Sequence, residues 1–276
     1  MPGVSTKKSK AFFGVNTLMN LLDLLFPPRC VSCGRIGKYI CPSCSLLIRI
    51  IRLNEQVCPV CEKPAIGGET HPRCKNKYSL DGLTSFFVYD GPIRKAIKLL
   101  KYRFVTDLAK ELINMVGPLP LPHRQFSAVS NRSLKEDTIV AQGSLRKSSK
   151  IGEEAAALNP YVFVSVPLHW RRFNWRGFNQ SEILGKLMAE KLGIKFLPDL
   201  LIRKKYTEPQ VKLKSKERKE NIKDAFVINS QRRQIPNTSY YILFDDVWTT
   251  GSTLRACAKV LKQAGVEKVW GMTLAR

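Results

Sequence analysis

Four pairs of metal-ligand residues, each pair separated by two positions, fall within residues 30–74. They are Cys30 with Cys33, Cys41 with Cys44, Cys58 with Cys61, and His71 with Cys74. Two ligands three positions apart on a tight turn can face one tetrahedral ion, and zinc takes thiolates and imidazoles in fours. Eight ligands fill two such sites. Residues 28–78 hold seven of the eight cysteines and lack long apolar periodicity, so this stretch needs a staple to fold. Without a secretory leader, disulfides are the weaker account. Sequential pairing leaves seven residues between the pairs of the first site and nine in the second; interleaved pairing leaves 24 and 26. The short loops and the Tyr39–Ile40 pair before Cys41 favour sequential pairing as a double zinc ribbon. His71 is the least secure ligand: beside Pro72 it could be an ordinary surface histidine, leaving the second site weak. With every ligand a protein group, no coordination position stays open for catalysis, so the zinc is structural or serves recognition.

The chain has 276 residues and a formal charge of +24. Such a balance predicts attraction to polyanions, whether nucleic acid, phosphorylated metabolites or an anionic membrane face, or else serves solubility. The apolar run from Ala11 to Phe26 imitates a signal peptide. Asn16, Asn20 and Asp23 interrupt it, and no small-residue cleavage site follows. Residues 1–27 instead read as an amphipathic helix, with Phe12, Val15, Leu18, Met19, Leu22 and Phe26 on one face. No stretch reaches the roughly 18–20 apolar residues of a membrane span, which predicts no transmembrane segment and a cytoplasmic chain.

From Leu83 the pattern changes. Leu83–Tyr89 reads as a strand, Asp90–Pro92 as a turn, and Ile93–Val116 as one or two helices. Residues 118–160 read as a mobile insertion, opening on alternating Pro and Leu and continuing polar. Tyr161–Val166 is a continuous apolar run suited to a buried parallel strand. A helix over Asn179–Leu192, a strand over Tyr240–Phe244, a helix over Ser252–Ala264 ended by Gly265, and a final strand over Val266–Leu274 follow. Strands alternating with helices give an α/β fold, a parallel sheet flanked by helices, over residues 79–276.

The segment Tyr240–Leu254 carries most of the chemistry. A buried strand leads into two carboxylates, Asp245 and Asp246, at the carboxyl edge of the sheet, where open α/β folds bind ligands. Thr249, Thr250, Gly251, Ser252 and Thr253 then form a small hydroxyl-rich turn that opens a helix. Its N–H groups and hydroxyls can wrap a phosphate, helped by the helix N-terminus. The carboxylates can accept hydrogen bonds from sugar hydroxyls. A simple capped helix would account for one Thr or Ser, not for two acids beside four hydroxyl residues.

This segment resembles the phosphoribosyl-pyrophosphate motif of type I phosphoribosyltransferases: four apolar residues, two acids, a short spacer, then Thr-Thr-Gly-x-Thr. The resemblance implies that Asp245 and Asp246 hold ribose hydroxyls and that Thr249–Thr253 hold the 5′-phosphate. Trp248 is bulkier than the family's usual aliphatic spacer. Further runs are similar to the ComF family of competence-associated proteins: Val166–His169, Arg176–Gln180, Pro209 with Gln210, Arg218, Asn221, Ala225 with Phe226, and the cysteine-rich start after Leu24–Pro28. That resemblance covers nearly the whole chain outside 118–160 and implies a link to DNA uptake in natural transformation.

A transferase of this kind develops an oxocarbenium-like centre while pyrophosphate leaves, so it needs positive charge on the leaving group. Mg2+ would enter with phosphoribosyl pyrophosphate, held mainly by ligand oxygens and water. By position, His169, Arg171 and Arg172, with Arg176 nearby, resemble the family's pyrophosphate loop. Residues 203–223, with nine basic and three acidic residues, fall where these enzymes carry a flap; Gln210 and Arg218 are its candidates. The same cations, with Lys95, Lys98, Lys101 and Arg103, offer charge for single-stranded DNA, and Trp170, Phe173, Trp175 and Phe178 interleave with Arg171, Arg172 and Arg176 in a pattern suited to it, although core packing explains Phe178 equally well. Three readings stand at this point. One is transfer of a phosphoribosyl group to an acceptor. Another is a non-catalytic single-stranded-DNA-binding competence factor, partnered by DNA-uptake proteins. The third is a sensor of phosphoribosyl pyrophosphate. Cys257 reads as a small buried hydrophobe.

Overall fold

The structure, a computed structural model, describes residues 27–102, 105–117, 160–205, 224–231 and 240–276, with Ile222 and Ile235. The expected N-terminal helix, the body of the 118–160 insertion, and Arg103, Gln210, Arg218 and Asn221 lie outside the described residues.

The core is a five-stranded parallel sheet in the order β1–β7–β6–β2–β3. Its strands are β1 (Gly82–Phe87), β2 (Tyr161–Ser165), β3 (Lys195–Phe196), β6 (Tyr240–Val247) and β7 (Lys268–Ala275). A two-stranded antiparallel ribbon of β4 (Leu201–Arg203) and β5 (Phe226–Ile228) stands beside it. The helices are α1 (Pro42–Ser45), α2 (Gly91–Tyr102), α3 (Thr106–Asn114), α4 (Trp170–Arg176), α5 (Gln180–Leu192) and α6 (Ser252–Gln263).

Strand alternation sorts the apolar residues onto two faces. Phe163, Ile242, Phe244 and Met272 face Ile93, Ile97, Leu108, Leu112, Leu184 and Met188 of α2, α3 and α5. Val162, Val164, Tyr241 and Leu243 face Leu254, Cys257, Ala258 and Leu261 of α6. Both faces are covered, which is why β2 and β6 read as continuous apolar runs. Cys257 is fully buried within the second layer, and that burial pushes its thiol far above the ordinary range.

The cysteine-rich segment closes the sheet's outer edge. The N–H of Ile51 donates to Phe86 O and that of Val88 to Arg49 O, so residues 49–51 run antiparallel beside the end of β1. Glu69 bridges Gly82 at the other end of the strand. An edge that would otherwise offer unpaired backbone groups is thereby satisfied.

Two sequence expectations need correction. β6 does not end at Phe244: it continues to Val247, because β7 runs on to Ala275 and supplies partners for Asp245 and Val247. The Asp90–Pro92 turn is absorbed into the first turn of α2, which opens at Gly91 with Pro92 near its start, a position where the missing N–H of proline is harmless.

Gly82 gives a direct test of the packing. A Cβ there would come within 2.1 Å of the Trp270 ring. That indole is buried and pinned by its Nε1–H donating to Thr84 Oγ1 at 3.0 Å. Gly82→Ala is expected to destabilise by about 1–3 kcal/mol in denaturant unfolding, and by clearly less in a Trp270→Leu background; equal losses in both backgrounds would contradict this contact.

Candidate functional site

The cysteine-rich segment forms two clusters. Cys30, Cys33, Cys41 and Cys44 bring their ligand atoms within 4.8 Å of one another, as do Cys58, Cys61, His71 and Cys74. The ligands are thus grouped in sequential order. Cys33 Sγ lies 3.6 Å from Cys41 Sγ, and His71 Nδ1 lies 3.3 Å from Cys61 Sγ. Zn–S bonds of about 2.3 Å in a tetrahedron place sulfurs roughly 3.8 Å apart, so the donor sets fit zinc, and all of these cysteines are free thiols.

The leading CxxC pair of each cluster, Cys30–Cys33 and Cys58–Cys61, sits on a knuckle with the same hydrogen bonds. The N–H of Gly34 donates to Cys30 O and that of Glu62 to Cys58 O. Burial opposes ionisation of Cys30, but backbone N–H groups of Cys41, Cys33 and Ser32 aimed at its sulfur outweigh it and bring the thiol to about 6. His71 lies 3.1 Å from Pro64 O through Nε2. A proton on Nε2 satisfies that carbonyl and leaves the Nδ1 lone pair toward the cluster, the usual support for a histidine ligand.

The second site is a cleft of about 730 Å³ at the carboxyl edge of the sheet. Asp245 and Asp246 line it from β6, Thr249 from the turn before α6, Thr253 from the first turn of α6, and Arg171, Arg172 and Arg176 from α4. Arg94, Lys98 and Lys101 enter from α2, and Arg203 from β4. Seven cations thus surround two carboxylates.

The strand pleat separates the two acids. Asp246 turns to Lys101, whose Nζ stands 2.8 Å from Oδ2, a close ion pair that lacks hydrogen-bond alignment. Burial lowers the Lys101 pKa, but Asp246, and Asp245 behind it, more than reverse this and raise it. Asp245 accepts from Ser181 Oγ at 2.8 Å and from the N–H of Asp246. Solvent reaches part of Asp245, yet protein atoms surround it at the bottom of the cleft. That desolvation, with the neighbouring Asp246 charge, pushes its carboxyl up to about 7 despite those donors and Lys101.

The turn after β6 is fixed by Gly251. Its φ of +65° is left-handed, and a Cβ would meet the Trp248 ring at 2.1 Å. The hydroxyls of Thr250 and Ser252 lie 3.0 Å apart and bond to each other. Thr249 is exposed and Ser252 buried, so the turn presents Thr249 and Thr253 to the cleft and folds Thr250 and Ser252 into itself.

His169 stands apart from the cleft lining. It is buried, and its Nδ1 accepts the N–H of Arg171 as the N-cap of α4. Burial lowers its pKa, against a backbone contact from Lys204 and with the support of Arg203, Arg171 and Arg172. The structure places it as the N-cap of α4, outside the residues that line the cleft. Arg176 bonds Gln180 Oε1 at 2.9 Å and stacks over Tyr102 at 5.9 Å. Tyr102 meets Trp175 edge to face at 6.2 Å, and Arg171 lies over Trp170 at 5.3 Å. These three aromatic rings are mostly exposed at the rim. Sequence reasoning missed Ser181 and did not place Lys101 against Asp246, because both are brought in by helix packing across the sheet. Ser181 carried a faint local signal: Asn179 already caps α5 through the Ser181 N–H, leaving the Ser181 hydroxyl free for another acceptor.

A double zinc ribbon joined to a parallel α/β sheet, with paired acids and a hydroxyl-rich turn at its carboxyl edge, defines the class of protein. The double zinc ribbon family model matches residues 21–75. The chain is 30% identical over 241 residues to the DNA utilization protein YhgH of Salmonella typhimurium, covering 84% of this chain and 89% of that protein. It is 38% identical over 119 residues to competence protein F of Haemophilus influenzae, a match spanning 42% of this chain and only 51% of that protein. It is 34% identical over 134 residues to competence protein ComFC of Streptococcus pneumoniae, covering 48% and 56% of the two chains. The chain belongs to the ComF family. Among the described residues, no helix is long and apolar enough to cross a membrane.

Two outcomes follow from these geometries. Purified protein should carry two zinc ions per chain by elemental analysis, and His71→Ala should lose one selectively; unchanged zinc in that variant would remove His71 from the ligand set. Asp245 is raised from an unfolded value of about 3.9 to about 7, so the folded state holds a proton that the unfolded state releases first. Stability from this group is full below pH 4 and is lost as pH rises through 7. Asp245→Asn should flatten the dependence of Tm on pH between 4 and 8 and raise Tm at pH 8; a Tm at pH 8 below that of the wild type would contradict the strained carboxylate.

Proposed function

We propose that the cleft binds phosphoribosyl pyrophosphate with Mg2+ and that the protein serves DNA uptake or utilisation, the processes for which its relatives are named. The observation that carries the ligand reading is the pair Asp245 and Asp246 in a cleft that seven cations also line, next to the Gly251 turn. A purely anionic ligand would not need the two acids, and a sugar alone would not need seven cations. A phosphorylated sugar uses both: its hydroxyls donate to the carboxylates, and its phosphates meet the turn and the arginines.

In this reading Thr249 and Thr253, with the turn's N–H groups, take the 5′-phosphate. Arg171, Arg172 and Arg176 take the pyrophosphate, and Lys101 stands paired with Asp246 at 2.8 Å. Mg2+, when bound, supplies further neutralisation of the pyrophosphate. Transfer would break the bond between ribose C1 and the pyrophosphate oxygen, which leaves with the electron pair, while an acceptor nucleophile bonds to C1 and sheds its proton. The arginines stabilise the charge that grows on the leaving oxygen.

A second reading has its own support. The exposed Trp170, Trp175 and Tyr102 alternate with Arg171 and Arg176 along the rim, and stacking surfaces interleaved with cations suit single-stranded DNA. The two readings separate in one pair of titrations against wild type and Asp245→Ala/Asp246→Ala. Calorimetry with phosphoribosyl pyrophosphate and Mg2+ should show binding to the wild type and its loss in the variant; no heat from zinc-loaded wild type would sink the ligand reading. Binding of an oligonucleotide that survives in the variant and weakens steeply with salt would support the rim as a DNA surface.

A further inference from the structure

The two cysteine knuckles have the same backbone but different neighbours. In the first, Lys95 Nζ donates to Ser32 O, which ties that knuckle to α2. In the second, one side chain from α6 spans the gap to the candidate phosphate turn. Arg255 donates through Nε to Pro59 O at 2.6 Å, through Nη1 to Thr250 O at 2.7 Å and through Nη2 to Glu62 Oε1 at 2.9 Å. Its guanidinium lies over the Trp248 ring at 5.1 Å, the same ring that occupies the space beside Gly251. Pro59 sits inside the Cys58–Cys61 pair and Glu62 directly follows it; Thr250 sits inside the turn. The fork geometry of arginine allows three separated acceptors to be held at once, which lysine could not do.

Glu62 sharpens the point. The first knuckle has Gly34 at the matching position, with φ of +78°, while the second has Glu62 at +60°. A side chain there is strained relative to glycine, and its carboxylate is the one that grips Arg255.

We infer that the second metal site does more than staple the ribbon: through Arg255 its knuckle forms the outer wall that positions the Thr249–Thr253 turn, so metal loading at Cys58, Cys61, His71 and Cys74 sets how tightly the turn holds a 5′-phosphate. Arg255 is a positioning residue. The consequence for affinity rests on the phosphate reading of the turn proposed above; the mechanical coupling does not.

The test is hydrogen exchange at the amides of residues 249–253 in the full chain, beside zinc content and calorimetric affinity for phosphoribosyl pyrophosphate. Arg255→Ala should keep both zinc ions, speed exchange in the turn about tenfold and weaken the ligand by a similar factor, on the scale of losing a charge-assisted hydrogen bond. Glu62→Gly should leave Tm unchanged or higher, since strain is relieved, yet still speed exchange in the turn, a split that a merely structural residue would not give. Cys61→Ser should act on the turn as Arg255→Ala does, while Cys33→Ser at the first site should not. Turn exchange unchanged in Arg255→Ala, or raised equally by Cys33→Ser, would overturn the coupling. Faster exchange in Arg255→Ala with no ligand heat even from wild type would leave the coupling standing and remove the ligand reading instead.

Discussion

The site depends on one placement: two adjacent carboxylates inside a central parallel strand, at the edge where that strand meets solvent. β6 is paired on both sides, by β2 and β7, so its path is fixed before any loop is considered. Buried acids without partners would be costly, and the neighbouring elements answer that cost differently for each. Lys101 from α2 meets Asp246, and Ser181 from α5 meets Asp245. Six further cations line the same cleft. Strand, helices and charge thus converge on one cavity.

The zinc ribbon belongs to the same construction. It covers the free edge of β1 through residues 49–51 and Glu69, and its first cluster contributes Cys30, Ile40, Cys41 and Cys44 to the apolar layer under α2 and α3. Glu111 of α3 accepts the Ile40 N–H at 3.0 Å. A segment too poor in apolar residues to fold alone becomes, once metal-bound, a rigid cap for a sheet edge.

Much of this was legible in the sequence because local rules decide it. CxxC spacing, the apolar runs of β2 and β6, the Gly265 stop after α6 and the acid pair before Thr249–Thr253 are all short-range signals. The strand bounds were less so: β6 reaches Val247 only because β7 is long enough to pair with it. His169 read as a ligand because it lies in a basic loop; its N-cap bond to Arg171 and its burial by distant elements left no signal in the sequence. Ser181, Lys101 against Asp246, Arg203 at the cleft and the span of Arg255 to Pro59 and Glu62 are contacts between residues far apart in the chain, and no periodicity records them. The short strands β3, β4 and β5 carry too few residues to show alternation.

The central claim is that the acid pair and the Gly251 turn hold opposite ends of one phosphorylated sugar. A crystal structure of the zinc-loaded protein with phosphoribosyl pyrophosphate and Mg2+ tests it most directly. The 5′-phosphate is expected within hydrogen-bond distance of the backbone N–H groups of residues 249–253 and the ribose hydroxyls on Asp245 and Asp246, with the pyrophosphate toward Arg171 and Arg172. A ligand bound elsewhere, or one whose phosphates avoid the turn while Lys101 alone continues to occupy Asp246, would contradict it.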